Sequence, residues 1–101
     1  MIIYTHLEAP IRIGSNCDFG PGVELITGSH IIGGTSRRAG AGTANSISIG
    51  DGCWIGAGSR IFGGVDIGKG AIVAAGAIVI HSVAPNTMVA GVPAVKKKYL
   101  S

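Results

Sequence analysis

Aliphatic residues recur along this chain at a strict interval of six. Stepping from Ile49 gives Ile49, Ile55, Ile61, Ile67, Val73 and Val79. The residue after each is Gly50, Gly56, Phe62, Gly68, Ala74 or Ile80, small in four of the six cases. Four residues after each aliphatic stand Cys53, Ser59, Val65, Ala71, Ala77 and Val83, mostly small or aliphatic. An upstream block carries the same pattern in Ile13, Phe19 and Leu25, with Ile11, Cys17 and Val23 as partners.

An amphipathic helix needs apolar residues three and four apart, drifting around the axis, and a strict six does not satisfy it. A β-sandwich would alternate with period two in strands of varied length, which this chain does not do. A period of six fits short strands joined by tight turns, each contributing one bulky residue to an interior. Three such sides make one coil, so residues 18 apart stack. Ile49 is expected beneath Ile67, and Ile55 beneath Val73. Main-chain hydrogen bonds and aliphatic ladders then join coil to coil, and glycine serves corners that need positive φ or close approach. Hexapeptide repeats of this kind are a signature of the parallel β-helix.

The repeat breaks between residues 27 and 46, TGSHIIGGTSRRAGAGTANS. Leu25 and Ile49 are still a multiple of six apart, but the positions between them that would point inward carry Arg37 and Thr43. A coil cannot bury Arg37 unpaired. The stretch is therefore expected to protrude as a loop, with His30 near its base and Arg37 and Arg38 in its middle. Long loops inside compact domains are often functional. The sequence thus predicts one domain over residues 1–101, with coils at 11–26 and 47–84, a loop at 27–46 and a C-terminal tail at 85–101. Met1, Ile2 and Ile3 put no polar cap on the N-terminal end, so the first coil is expected to need cover from a partner chain or to be poorly ordered.

Composition narrows the function classes. Hydrophobic residues make up 47% of the 101 and charged residues 13%, which excludes a disordered chain. The net charge of +3 draws on Lys96, Lys97 and Lys98, too few to suggest a nucleic-acid partner. Apolar runs are interrupted before they could span a bilayer, and no signal peptide is visible, so no membrane partner is expected. Cys17 and Cys53 fall at inward positions and read as small buried thiols, making a reducing cytoplasm the default compartment.

No nucleophile elbow, phosphate-binding loop or Cys-x-x-Cys is present. The candidates for chemistry are His6, His30, His81, Trp54 and the basic tail. His30 lies where the loop leaves the wall, and an imidazole suits a general base near neutral pH. Trp54 points outward from a wall of small residues, where a neighbouring subunit or a flat ligand could cover it.

These residues resemble the hexapeptide-repeat acetyltransferases, in particular the maltose/galactoside O-acetyltransferase group and related sugar acetyltransferases. The stretches that carry the resemblance are Ile13-Gly-Ser-Asn16, Thr27-Gly-Ser-His30, Ile49-Gly-Asp-Gly-Cys-Trp-Ile-Gly56, Val73-Ala-Ala-Gly76 and Ala90-Gly-Val-Pro-Ala94. It implies an all-β, left-handed parallel β-helix and a homotrimer with its sites between subunits. It implies acetyl-CoA as donor, a small-molecule hydroxyl acceptor on a sugar, and no metal. His30 matches the general base. Trp54, Ala57, Ala75 and Gly76 match positions along the pantetheine arm, and Lys98, with Lys96 or Lys97, would face the CoA phosphates. Ala57 stands where serine is frequent, so only its backbone N–H could serve there. The family normally has a helical segment and further coils before the equivalent of Ile11. Relative to it the chain reads as N-terminally shortened, with a fuller donor half than acceptor half. Two other functions share the fold: a non-catalytic CoA-binding or assembly module, and a zinc hydratase. The hydratase needs converging histidines that His6, His30 and His81 do not suggest.

Overall fold

A computed structural model describes residues 1–4 and 9–101. His6 lies outside the described residues. Among the described residues there are fourteen strands and no helix; twelve of the strands form a three-sided prism and two form a hairpin beside it. Along the chain they are β1 (Ile2–Tyr4), β2 (Ile11–Ile13), β3 (Asp18–Phe19), β4 (Glu24–Ile26), β5 (Gly28–Ile32), β6 (Ala39–Ala44) and β7 (Ile47–Ile49). They continue with β8 (Trp54–Ile55), β9 (Arg60–Phe62), β10 (Asp66–Ile67), β11 (Ile72–Val73), β12 (Ile78–Val79), β13 (Thr87–Gly91) and β14 (Ala94–Tyr99).

The first face stacks β1, β4, β9 and β12; the second β2, β7 and β10; the third β3, β8, β11, β13 and β14. All these pairs are parallel except β13 with β14. Strands this short form because each coil is held by its neighbours: Trp54 N donates to Ala71 O at 3.0 Å and Arg60 N to Ala77 O at 2.9 Å. The expected ladders are present, with Ile49 against Ile67 and Ile55 against Val73. Leu25, Ile61 and Val79 stack on the first face, and all of these inward side chains are buried.

The corners follow from the same spacing. Gly22, Gly52, Gly58, Gly64, Gly70 and Gly76 all have φ between 69° and 87°. Asn16 and Asn86 hold the left-handed conformation elsewhere, at φ 58° and 53°; asparagine tolerates that region better than other side chains.

The excursion differs from a loop. Residues 28–44 form an antiparallel hairpin, β5 with β6, that leaves the prism between the first and second faces. Leu25 pairs with Ile61 and Phe19 with Ile55, each 36 positions apart, where coils without an insertion pair at 18. The excess of 18 is one full coil, so the period of six runs through the insertion unbroken although the inserted residues build no coil.

Both ends also carry more structure than the spacing suggests. At the N-terminal end Ile2–Tyr4 pairs with Glu24–Ile26, adding a side to the first coil. Ile3 and Ile13 on that coil are exposed. In the segment read as a tail, β13 stays in the third face and β14 folds back on it through a cis Val92–Pro93 bond. The last coil is two residues short: Val73 pairs with Val89 and Ile67 with Val83, 16 apart instead of 18. Cys53 is buried and Cys17 half-buried, both as free thiols. Each donates its S–H to a carbonyl one corner along, Cys17 to Gly50 and Cys53 to Gly68, both at 3.2 Å.

One departure from the small-residue rule is confined to the first face. Tyr4, Ile26 and Phe62 stack in register on its outer side, and Ile80 follows Val79 at the same column. Tyr4 and Ile80 are about half exposed. On the other faces this column holds glycine or alanine, so the first face alone presents an apolar stripe.

Candidate active site

An open, apolar groove of about 460 Å³ runs along the third face and the corner that follows it. Trp54, Ile72 and Met88 form one outward column of its wall, in register with one another. Gly20, Gly56, Ala57, Ala74 and Ala75 form its floor at the corner. Trp54 is 58% exposed, which is costly for an indole with nothing over it. Met88 pairs with Lys98, so the column of the groove wall ends on a lysine ammonium. Lys96 Nζ lies 4.1 Å from the centre of the Tyr99 ring beside it.

Two backbone donors face this floor. The N–H groups of Ala57 and Ala75 have no acceptor among the described residues, whereas their neighbours are paired: Gly56 N donates to Val73 O at 2.7 Å and Gly76 N to Ala57 O at 2.9 Å. A Cβ on Gly20 would lie 2.5 Å from Ala57 N, and one on Gly56 would lie 2.5 Å from Ala75 N. Glycine at both positions keeps the two amides uncovered. Unpaired N–H groups at the bottom of an open, apolar groove are suited to polar oxygens of a narrow ligand.

His30 sits on β5, at the other corner of the first face. Its Nδ1 lies 2.8 Å from Gly40 O on the opposite strand. A carbonyl can only accept, so Nδ1 carries the hydrogen and Nε2 of the neutral ring keeps its lone pair. The hairpin locks the ring because Ser29 pairs with Thr43 and His30 with Gly42. His81 lies at the rim of a separate cavity near the C-terminal end, with Ser82 and Lys96. No cluster of three or more metal-ligating side chains occurs among the described residues.

The structure therefore brings Trp54, Ala57 and Ala75 to one groove. Gly76 adjoins that groove through its hydrogen bond to Ala57, and Lys98 stands at the end of its wall column. His30 is on a different corner of the same chain and does not line the groove. Met88 and Ile72 were not singled out by the sequence; the two-residue shortening of the last coil hides Met88 from a search at intervals of 18.

Residues 46–80 match the family described as hexapeptide repeat of succinyl-transferase. The chain is 36% identical over 83 residues to galactoside O-acetyltransferase of Escherichia coli, a match covering 82% of this chain and 41% of that protein. Among solved structures, a hexapeptide-repeat-containing acetyltransferase of Vibrio cholerae O1 biovar eltor, complexed with acetyl coenzyme A, superposes with TM-score 0.88 at 36% identity. That match covers all of this chain and 55% of the other. A galactoside acetyltransferase in complex with coenzyme A superposes with TM-score 0.83 at 33% identity, covering 90% and 46%. The chain carries the hexapeptide repeat and is similar to these acetyltransferases, and its prism is the left-handed parallel β-helix that they share. It spans less than half the length of the curated relatives it matches.

Proposed function

We propose that this chain transfers the acetyl group of acetyl-CoA to a hydroxyl of a sugar, with His30 as general base. The observation that carries the proposal is the hydrogen bond from His30 Nδ1 to Gly40 O. It fixes the tautomer in which Nε2 can take a proton, and it holds the ring on a braced hairpin. The groove on the third face has the shape that the donor needs. Small residues let a pantetheine arm lie against the wall, Trp54 covers one side, and the N–H groups at Ala57 and Ala75 meet amide or thioester oxygens. Lys98, with Lys96 or Lys97, supplies cationic partners for phosphates at the end of the wall column.

In the reaction, the acceptor hydroxyl hydrogen-bonds to His30 Nε2. Its oxygen attacks the thioester carbonyl as Nε2 takes the proton. Charge develops on the carbonyl oxygen, where a backbone N–H, that of Ala57 by position, offsets it. The C–O bond forms, the C–S bond breaks, and the sulfur leaves with the electron pair. The imidazolium returns the proton to that sulfur. No acyl-enzyme is needed, because a thiolate is already a good leaving group.

The two halves of this site lie at opposite corners of the first face, so one copy does not hold a complete site. The reading is of a homotrimer in which the hairpin of one copy meets the groove of the next. The apolar stripe of Tyr4, Ile26, Phe62 and Ile80 beside the hairpin supports this, since it gives that face something to bury. The cytoplasm is the compartment that fits free thiols at Cys17 and Cys53. No helix among the described residues is long and apolar enough to cross a membrane.

The test is release of free CoA thiol from acetyl-CoA against a panel of mono- and disaccharides, with product mass confirming transfer. Wild type is expected to turn over, and His30→Gln to lose about 10²–10⁴-fold in rate while still binding acetyl-CoA. Tight binding of acetyl-CoA without transfer to any acceptor would favour a binding or assembly module instead.

A further inference from the structure

The hairpin that carries His30 also carries Arg37 and Arg38 at its tip, and neither takes part in the assignments above. Its residues 27–46 contain no Asp or Glu. The one ion pair among the described residues is Arg60 with Glu24, on the first face. Arg38 is held: its Nη1 donates to Gly33 O at 3.3 Å, and its carbonyl accepts from Gly33 N at 2.8 Å. The Arg37 amide donates to Gly34 O at 3.1 Å, fixing the turn, while its guanidinium has no protein partner among the described residues. One held and one unpaired guanidinium, with no carboxylate on the hairpin, form an anion-recognition feature, and arginine suits planar or tetrahedral oxyanions through paired N–H groups.

The neck of the hairpin is tight on one side and open on the other. A Cβ on Gly40 would lie 2.9 Å from Ile31 O, and one on Gly33 would collide with Arg37 O. Those glycines let the strands close up and set the tip rigidly. Gly42, directly opposite His30, is different: a Cβ there would meet nothing within 4 Å. Ile32 is 87% exposed between His30 and the tip. His30, the space over Gly42, the apolar Ile32 and the two arginines thus follow one another along a single rigid element. Along the pairing from His30–Gly42 through Ile32–Ala39 to Gly33–Arg38, the tip lies roughly 10 Å from the imidazole at about 3.3 Å per strand residue. Arginine side chains shorten that distance to the scale of one or two sugar rings.

We infer that the acceptor is an anionic sugar, whose carboxylate or phosphate is held by Arg37 and Arg38 while its hydroxyl reaches His30 over Gly42. The inference rests on the proposed acetyl transfer and adds the substrate class. In it, Gly42 is the floor of the acceptor site, and Arg37 and Arg38 are specificity residues that set acceptor affinity. The reaction itself needs only the transfer already described, with no added reactant.

The experiment compares galactose, galacturonate and galactose 6-phosphate as acceptors, with acetyl-CoA saturating. Binding of the same three sugars to the CoA-loaded protein is measured by calorimetry. Wild type is expected to favour one or both anionic sugars over galactose by about tenfold or more, in binding and in kcat/KM. The double variant Arg37→Gln, Arg38→Gln is expected to erase that preference mainly through KM, with the affinity for acetyl-CoA unchanged. Gly42→Val should weaken all three acceptors without lowering thermal stability, because its side chain enters open space. Equal binding of neutral and anionic sugars by wild type, or a preference that survives the double arginine variant, overturns the inference. Anionic preference in binding that disappears in the double variant upholds it even if no acetyl is transferred, a result that would count against the proposed reaction alone.

Discussion

Replacing Ile61 by alanine tests whether the six-residue ladder is the structural core. Ile61 is fully buried on the first face, between Leu25 below and Val79 above. The substitution removes three carbons, about 2.4 kcal/mol at about 0.8 kcal/mol per buried CH₂. The rungs on either side are fixed by backbone hydrogen bonds and cannot collapse into the space, so the cavity raises the cost to about 3–4 kcal/mol. For a domain whose whole stability is on the order of 5–15 kcal/mol, that is a large share. Urea unfolding followed by circular dichroism, at one protein concentration because any association would contribute to apparent stability, reads the change directly. Trp54→Ala is the control. It deletes a larger side chain, but one that points outward and is 58% exposed, so it should cost less than about 1 kcal/mol. If Ile61→Ala costs less than Trp54→Ala, the inward ladder is not what holds the prism together.

Other outcomes follow from the same geometry. Trp54 is the only tryptophan, so its emission should shift to the blue when acetyl-CoA enters the groove, and Trp54→Ala should weaken acetyl-CoA binding about tenfold in calorimetry. Gly56→Ala should cost both stability and donor affinity, since its Cβ would sit 2.5 Å from Ala75 N and cover a donor; Gly76→Ala should cost only about 1–2 kcal/mol through its φ of 74°, seen as a lower midpoint in thermal unfolding. Burial pushes the Cys53 thiol up from its ordinary value, helped by its neighbour Cys17 and opposed by backbone hydrogen bonds at Ala71 and Gly70. The unfolded thiol therefore ionises first, and stability should fall as pH rises through the ordinary thiol range. Cys53→Ala should flatten that alkaline loss in pH-dependent unfolding curves, and an unchanged slope would refute it.

The prism was legible because its signal is one bulky residue every six, and inward residues such as Ile49, Ile55 and Ile61 cannot be moved without exposing a core. The excursion was legible as a break, since Arg37 cannot be buried, but not as a hairpin. Strands β5 and β6 are rich in Gly, Ala, Ser and Thr and show no alternation of apolar and polar residues, because neither face of the hairpin is buried within this chain. Its length of one coil disguised it further by preserving the register. In the tail, the loss of two residues from the last coil places Val89 against Val73, 16 positions on and not 18, so β13 looked like an end rather than a rung.

At the site, the residue types were legible and their grouping was not. Trp54 was legible as an outward indole among small residues, whereas Ala57 and Ala75 were singled out only through the family resemblance. The bond from His30 to Gly40 joins residues ten apart through the pairing of β5 with β6 and leaves no mark in the local sequence. The apolar stripe was visible only as exceptions, Phe62 and Ile80 among positions otherwise small. Those exceptions fall on one face, where they mark a surface and not an irregular repeat.

The central claim is that His30 of one copy acts on a donor held in the groove of another. The measurement is complementation between two inactive variants. His30→Gln lacks the base, and Ala75→Trp fills the groove while keeping the hairpin intact. Each alone should transfer acetyl at a small fraction of the wild-type rate. Mixed after reversible dissociation and reassembly, they should recover activity at about a quarter of the sites, the share that receives an intact hairpin and an intact groove in a randomly assembled ring. A mixture no more active than its two components, with mixed oligomers verified by native mass spectrometry, would contradict the account.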